Sequence, residues 1–211
     1  MSYKGVIFDL DGTILDSIQL SIVSFRHACE VHLGQKIPEK ELLKMYGKPL
    51  TEQMNYFCPE KADDLVATYR EFFKKSHDEI IALYPDVREL LEQLNSQGLT
   101  VTLVTSKSTA AAKQSLNFFN IEHYFKHLIF SEDVEKHKPH PEPYNKMIDL
   151  MELKPSEIIS IGDSPFDIMG SQRAGLTTVL VGWTTFGDED FVNCEPDYLI
   201  NDFKTLLKMF I

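Results

Sequence analysis

At 211 residues the chain is long enough to bury one good core and has room for a smaller companion module. Its 43% hydrophobic and 25% charged residues are ordinary for a soluble globular protein, and no run of about 18 apolar residues suggests a membrane span. The net charge of -11, with Lys and Arg forming no stripe, argues against a nucleic-acid backbone as partner. Cys29, Cys58 and Cys194 are odd in number and far apart, which suits neither a disulfide framework nor a zinc knuckle. Residues 1–8 lack the basic and apolar pattern of a signal peptide, so a cytoplasmic location is expected.

In chain order, residues 4–8 (KGVIF) form a short apolar run of the kind seen in a strand buried on both faces. Helical pattern follows for a long stretch. Asp16 and Ser17 are N-cap candidates for a helix running to Leu33 and ended by Gly34. Pro38 opens a second helix closed by Gly47, Pro49 opens a third, and Pro59 opens a fourth that runs to about Ile80. From Tyr84 onward helices and strands alternate. Strands are expected at LTVTLV (99–104), HLIF (127–130), IISI (158–161) and TTVLV (177–181), with a short one at 198–200 before a terminal helix. Such alternation implies a parallel, Rossmann-like α/β sheet flanked by helices. Residues 1–15 and 83–211 should form this core, and residues 16–82 an inserted helical cap, with the chain crossing near Asp16 and Leu83.

In open parallel sheets, ligands bind beyond the carboxyl ends of the strands. At those ends stand Asp9 and Asp11; Thr105, Ser106 and Lys107; Lys138, in the loop after 127–130; and Asp163, with Asp167 one helical turn on. Extended residues two apart project to the same side, so Asp9 and Asp11 should point together while Leu10 turns to the core. Two carboxylates about 4 Å apart repel by roughly 4 kcal/mol at an effective dielectric of about 20, and Asp163 adds to it. That repulsion calls for a hard cation with oxygen ligands, and magnesium shared with a substrate phosphate fits. Lys138, the Thr105 hydroxyl and the peptide N–H groups after it, Ser106 first, would then hold the phosphate. Asp9 is available to attack phosphorus and Asp11 to move the proton. Gly12 permits the tight turn that follows.

Taken together, FDLDGT (8–13), VTSK (104–107), HKPHPEP (137–143) and IGDSPFD (161–167) resemble the motifs of the haloacid dehalogenase superfamily phosphatases, in order and along nearly the whole chain. The resemblance implies Asp9 as nucleophile and Asp11 as general acid and base. It implies Mg2+ on Asp9, the Asp11 carbonyl and Asp163, with Asp167 supporting the metal, and phosphate on Thr105 and Lys138. It also makes residues 16–82 a cap whose Gly47-Lys48-Pro49-Leu50-Thr51 loop reads the leaving group. Phosphoglycolate phosphatases and pyrophosphatases of similar length look most alike. His137 stands where many relatives have glycine. Gly162 stands where phosphosugar mutases commonly have glutamate, which leans towards hydrolysis.

Plainer readings stand beside these. Asp9 and Asp11 also suit a turn after a strand, Asp167 suits a helix N-terminus, and Thr105 suits a cap for the helix near Ser108. His137 and His140 read as solvated residues of a proline-rich loop, Lys48 as an exposed lysine, and Trp183 and Phe186 as loop packing. The functional readings are a magnesium-dependent phosphatase of a small phosphorylated metabolite, with phosphoglycolate ahead of pyrophosphate, nucleoside monophosphates and sugar phosphates; a phosphosugar mutase; or a non-catalytic binder of a phosphorylated ligand. Neither nucleic acid nor membrane is an expected partner, and the assembly is a monomer or homodimer.

Overall fold

Six parallel strands make the sheet of this computed structural model, which describes residues 3–210. They are β1 (Gly5–Phe8), β4 (Thr100–Val104), β5 (His127–Ile129), β6 (Ile158–Gly162), β7 (Thr177–Val181) and β8 (Tyr198–Ile200), in the spatial order β5-β4-β1-β6-β7-β8. The chain leaves β1 for β4 and β5, then returns to β6 on the other side. The sequence of moves reverses at β1, and the Asp9 loop therefore opens into the crevice where open α/β sheets take ligands. The expected core ranges begin and end on residues 1, 2 and 211, which lie outside the described residues.

The composition of β1 explains its central place. Val6 and Phe8 pack into the cluster on one face with Leu103, Ile159 and Val179, while Ile7 joins Val104, Ile129, Tyr144 and Met147 on the other. A strand with both faces covered needs apolar residues at every position, and burying a side chain such as Ile7 or Phe8 stabilises the fold by about 1.5–3 kcal/mol. Helices α5 (Val87–Ser96), α6 (Thr109–Phe118), α7 (Glu142–Met151), α8 (Pro165–Arg173) and α9 (Phe203–Leu207) complete this layered unit.

Helices α1 (Ile18–Leu33), α2 (Glu39–Leu43), α3 (Leu50–Phe57) and α4 (Ala62–Ile80) carry a second core built on Ile22, Phe25, Met54 and Leu65. Gly34 ends α1 in the left-handed conformation, φ 63°, with its N–H on the Glu30 carbonyl. Two sequence expectations need correction. The helix opened by Pro38 stops at Leu43, because the chain turns through residues 44–47 to bring Tyr46 and Gly47 towards the sheet. Asp16 does not cap α1. It lies in β2 (Leu15–Asp16), which pairs antiparallel with β3 (Ala82–Leu83) where the helical segment leaves and rejoins the sheet. No helix among the described residues is long and apolar enough to cross a membrane.

Candidate active site

The loop after β1 is shaped by its own backbone. The Asp9 N–H donates to the Ile161 carbonyl of β6 at 2.9 Å, and the Leu10 carbonyl accepts from Ile14 and Leu15. Leu10 is buried, as the two-residue alternation requires. Gly12 adopts φ +84°, and a Cβ there would collide with the Asp163 carboxylate. The Trp183 indole donates to the Gly12 carbonyl at 3.0 Å, a role beyond the loop packing expected of it.

Lys138 is the hub of the polar cluster. Its buried ammonium donates to Asp9 Oδ1 at 2.7 Å, to the Val104 carbonyl at 2.8 Å and to Asp167 Oδ1 at 2.6 Å, which uses all three N–H bonds. Burial alone would lower its pKa, but the Asp167 and Asp9 carboxylates hold it well above the ordinary lysine value. Asp167 is also fully engaged: Oδ1 accepts from the Tyr144 hydroxyl at 3.2 Å, and Oδ2 accepts from the Ser164 N–H and hydroxyl. Ser164 in turn accepts from the Asp167 N–H, a capping box that starts α8. The helix-terminus reading of Asp167 therefore holds together with its tie to Lys138.

Burial pushes the Asp9 carboxyl up to about 7, despite the downward pull of Lys138, and Asp167 and Asp11 add like charge. Asp163 is likewise held well above the carboxylate range, by burial first and then by Asp167 and Asp9. Its Oδ1 meets the Thr13 hydroxyl at 3.4 Å, whereas its Oδ2 is buried with no hydrogen-bond partner among the described residues. An orphaned carboxylate oxygen in the interior is costly, and a cation is the natural partner for it. Asp9, Asp163 and Asp167 offer oxygens that all lie within 4.8 Å of one another. The donor set is all oxygen, with no histidine or cysteine, and suits a hard divalent cation. Charge points the same way: among the described residues, four carboxylates, Asp9, Asp11, Asp163 and Asp167, are paired with the ammonium groups of Lys107 and Lys138 alone.

The Asp11 carboxylate lies apart from that oxygen cluster. Its Oδ1 accepts from Lys107 Nζ at 2.8 Å and from the Ser17 hydroxyl at 2.5 Å. Ser17 precedes α1 but makes no side-chain cap; its hydroxyl is turned to Asp11 instead. Sequence reasoning placed Lys107 at the strand end without assigning it a role, and it missed Ser17, Tyr46 and Tyr144. Lys107 and Tyr144 meet Asp11 and Asp167 at separations of 96 and 23 residues, and Tyr46 reaches the cavity from the segment between α2 and α3. Ser17, only six residues from Asp11, carries the pattern of a helix cap, so no local pattern marks their place in the site. Buried Thr105 accepts the Lys107 N–H at 3.2 Å rather than capping α6, which begins behind Ser108. The Ser106 hydroxyl is buried with no partner among the described residues. His137 and His140 are both half-buried and stand outside the acidic cluster, and His140 Nδ1 accepts the Glu142 N–H.

A cavity of about 660 Å³ joins these groups, a size ordinary for a small-molecule site. Asp9, Asp11, Thr105, Ser106 and Asp163 line its floor, and Gly47 and Lys48 line its opposite wall. Gly47, at φ +88°, sits close enough to Phe166 and Ser164 that a Cβ would be tightly packed, and Lys48 Nζ lies 5.3 Å from the Phe166 ring centre. The loop between α2 and α3 thus reaches the N-terminus of α8 beside Asp163.

The chain is similar to known proteins along nearly its whole length. The PpaX protein of Caldanaerobacter subterraneus subsp. tengcongensis is 39% identical over 209 residues, 99% of this chain and 95% of the relative. Pyrophosphatase PpaX of Halalkalibacterium halodurans is 34% identical over 207 residues, 98% of this chain and 96% of the relative. Among solved structures, a predicted phosphoglycolate phosphatase from Haemophilus somnus superposes with a TM-score of 0.86 at 26% identity, covering 100% of this chain and 99% of that one. The family model described as haloacid dehalogenase-like hydrolase matches residues 6–181, from β1 through β7, and the chain belongs to that family.

Proposed function

We propose that the chain is a magnesium-dependent phosphatase that hydrolyses a small phosphorylated metabolite through an aspartyl phosphate on Asp9. The observation that carries this reading is the pairing of Asp9, steered by one oxygen on Lys138, with the orphaned Oδ2 of Asp163 in the same cavity. Asp9 and Asp163, with the Asp11 carbonyl, would hold the Mg2+, and Asp167 would fix Lys138 beside them. When bound, the ion offsets the negative charge of the phosphate and lets Asp9 stay ionised.

Asp9 attacks phosphorus, the bond from phosphorus to the leaving oxygen breaks, and Asp11 gives that oxygen its proton. Water then attacks the phosphorus of the aspartyl phosphate, the Asp9–phosphorus bond breaks, and Asp11 takes the proton from the water. Lys138 neutralises charge on the transferred group, while the Thr105 hydroxyl and the N–H groups near Ser106 hold its other oxygens. Residues 16–82 act as a lid on the core formed by 1–15 and 83–211, pivoting at the paired β2 and β3, with Gly47 and Lys48 over the leaving group.

Pyrophosphate stands ahead of phosphoglycolate, because relatives at 34% identity across nearly the whole chain are named pyrophosphatases, while the phosphoglycolate name comes from a structure at 26%. The enzyme would act in the cytoplasm, as a monomer or homodimer. Phosphate release from pyrophosphate and from a panel of phosphate esters, with magnesium and with chelator, tests the reading. Magnesium-dependent turnover lost in Asp9→Asn is expected. Ligand binding without turnover of pyrophosphate or any ester would replace the phosphatase with a binding protein, and an isomeric sugar phosphate as product would replace it with a mutase.

A further inference from the structure

The chain carries a net charge of -11, yet Lys48, Arg70, Lys74 and Lys107 all line the cavity beside its acidic groups. Helix α4 presents Arg70, Phe73 and Lys74 there, three and four residues apart and therefore on one face. Opposite them stands Lys107, whose backbone is pinned at both ends: its N–H donates to Thr105 and its carbonyl accepts from Ser131. The Lys107 side chain is only 10% exposed. Its ammonium lies 2.8 Å from Asp11 Oδ1 and 4.7 Å from the Phe73 ring centre, at the seam between cap and core.

Lys138 has all three N–H bonds occupied, whereas Lys107 has one hydrogen-bonded partner, Asp11, among the described residues. Lys107 is therefore a largely enclosed cation of the cavity lining with donors to offer an incoming anion, and Asp11 is its placeholder. A phosphate or carboxylate on the leaving group, entering a site that excludes water, competes for those donors with charge-assisted hydrogen bonds of its own.

We propose that Lys107 is the specificity-determining cation of this site: it binds the second anionic group of the substrate and in doing so gives up Asp11, the group that must face the leaving oxygen. The inference rests on the phosphatase reading above and narrows it to substrates whose leaving group carries its own negative charge. Aromatic contact with Phe73 keeps the ammonium at the seam during the exchange. Arg70 and Lys74 supply diffuse attraction from the lid.

The test compares wild type, Lys107→Met and Lys107→Arg on pyrophosphate, phosphoglycolate and 4-nitrophenyl phosphate, with magnesium present and folding checked by circular dichroism. Methionine keeps the stem against Phe73 and removes the charge. We expect kcat/KM of Lys107→Met to fall at least about tenfold further for the two substrates with a second anionic group than for the nitrophenyl ester, chiefly through KM, with Lys107→Arg recovering part of the difference. Equal loss on all three substrates, or loss confined to kcat, overturns the proposal while leaving the phosphatase reading intact. Wild type that cleaves none of them overturns the phosphatase reading and this inference with it.

Discussion

Asp9→Asn should stabilise the metal-free protein, and more so as pH rises. The carboxyl of Asp9 is pushed up to about 7, from an ordinary value of about 3.9, by burial and the neighbouring acids. Between those values the folded state holds a proton that the unfolded state has lost, so stability falls as pH rises through the window and the loss is complete above about 7. At about 1.4 kcal/mol per pH unit, the whole penalty is about 4 kcal/mol, most of it falling between about pH 5 and about pH 8. Asparagine has no proton to lose. Urea unfolding of both proteins in chelator, at each pH, should show the gap in favour of Asp9→Asn widening by roughly 3 kcal/mol from about pH 5 to about pH 8. Magnesium at about 100 times its Kd should recover about 2.7 kcal/mol for wild type. A gap that stays constant or narrows with pH would refute the claim that Asp9 is a desolvated carboxylate awaiting a cation.

Other outcomes follow from single contacts. Lys138→Met leaves Asp9 and Asp167 facing each other in the interior and should cost about 3–5 kcal/mol in urea unfolding at neutral pH, with loss of phosphate release. Gly12→Ala combines a strained φ with a collision against Asp163. It should cost both stability and turnover, whereas Gly98→Ala, at φ +78° with open space around it, should cost about 1 kcal/mol and leave turnover intact. Ser164→Ala removes the α8 cap and one donor to Asp167, lowering Tm by about 2–4 °C for a cost of about 1 kcal/mol.

What the sequence revealed was whatever its physics makes local. The fully apolar β1, the Gly34 stop and the Pro49 and Pro59 helix starts are written in adjacent residues, and they lie where the pattern puts them. The strand-end rule gathered Asp9, Asp11, Thr105, Ser106, Asp163 and Asp167 around one cavity, because a parallel sheet sends every such loop to the same edge. Pairings across the chain stayed hidden. The two-residue strands β2 and β3 are too short to show alternation, and their partnership spans residues 15 to 83. Lys107 and Ser17 meet on Asp11 only after folding, and the helix from Pro38 was overextended because EKELLKMY keeps a helical pattern through the turn that tertiary packing imposes.

The central claim is that Asp9 forms a covalent bond to phosphorus, and rapid acid quench of the enzyme with radiolabelled substrate and magnesium tests it most directly. The account predicts a transient, hydroxylamine-labile label on the peptide containing Asp9, formed and lost at rates that match turnover and absent in Asp9→Asn. Full-rate phosphate release with no protein-bound label, or magnesium-dependent turnover retained by purified Asp9→Asn, would contradict it.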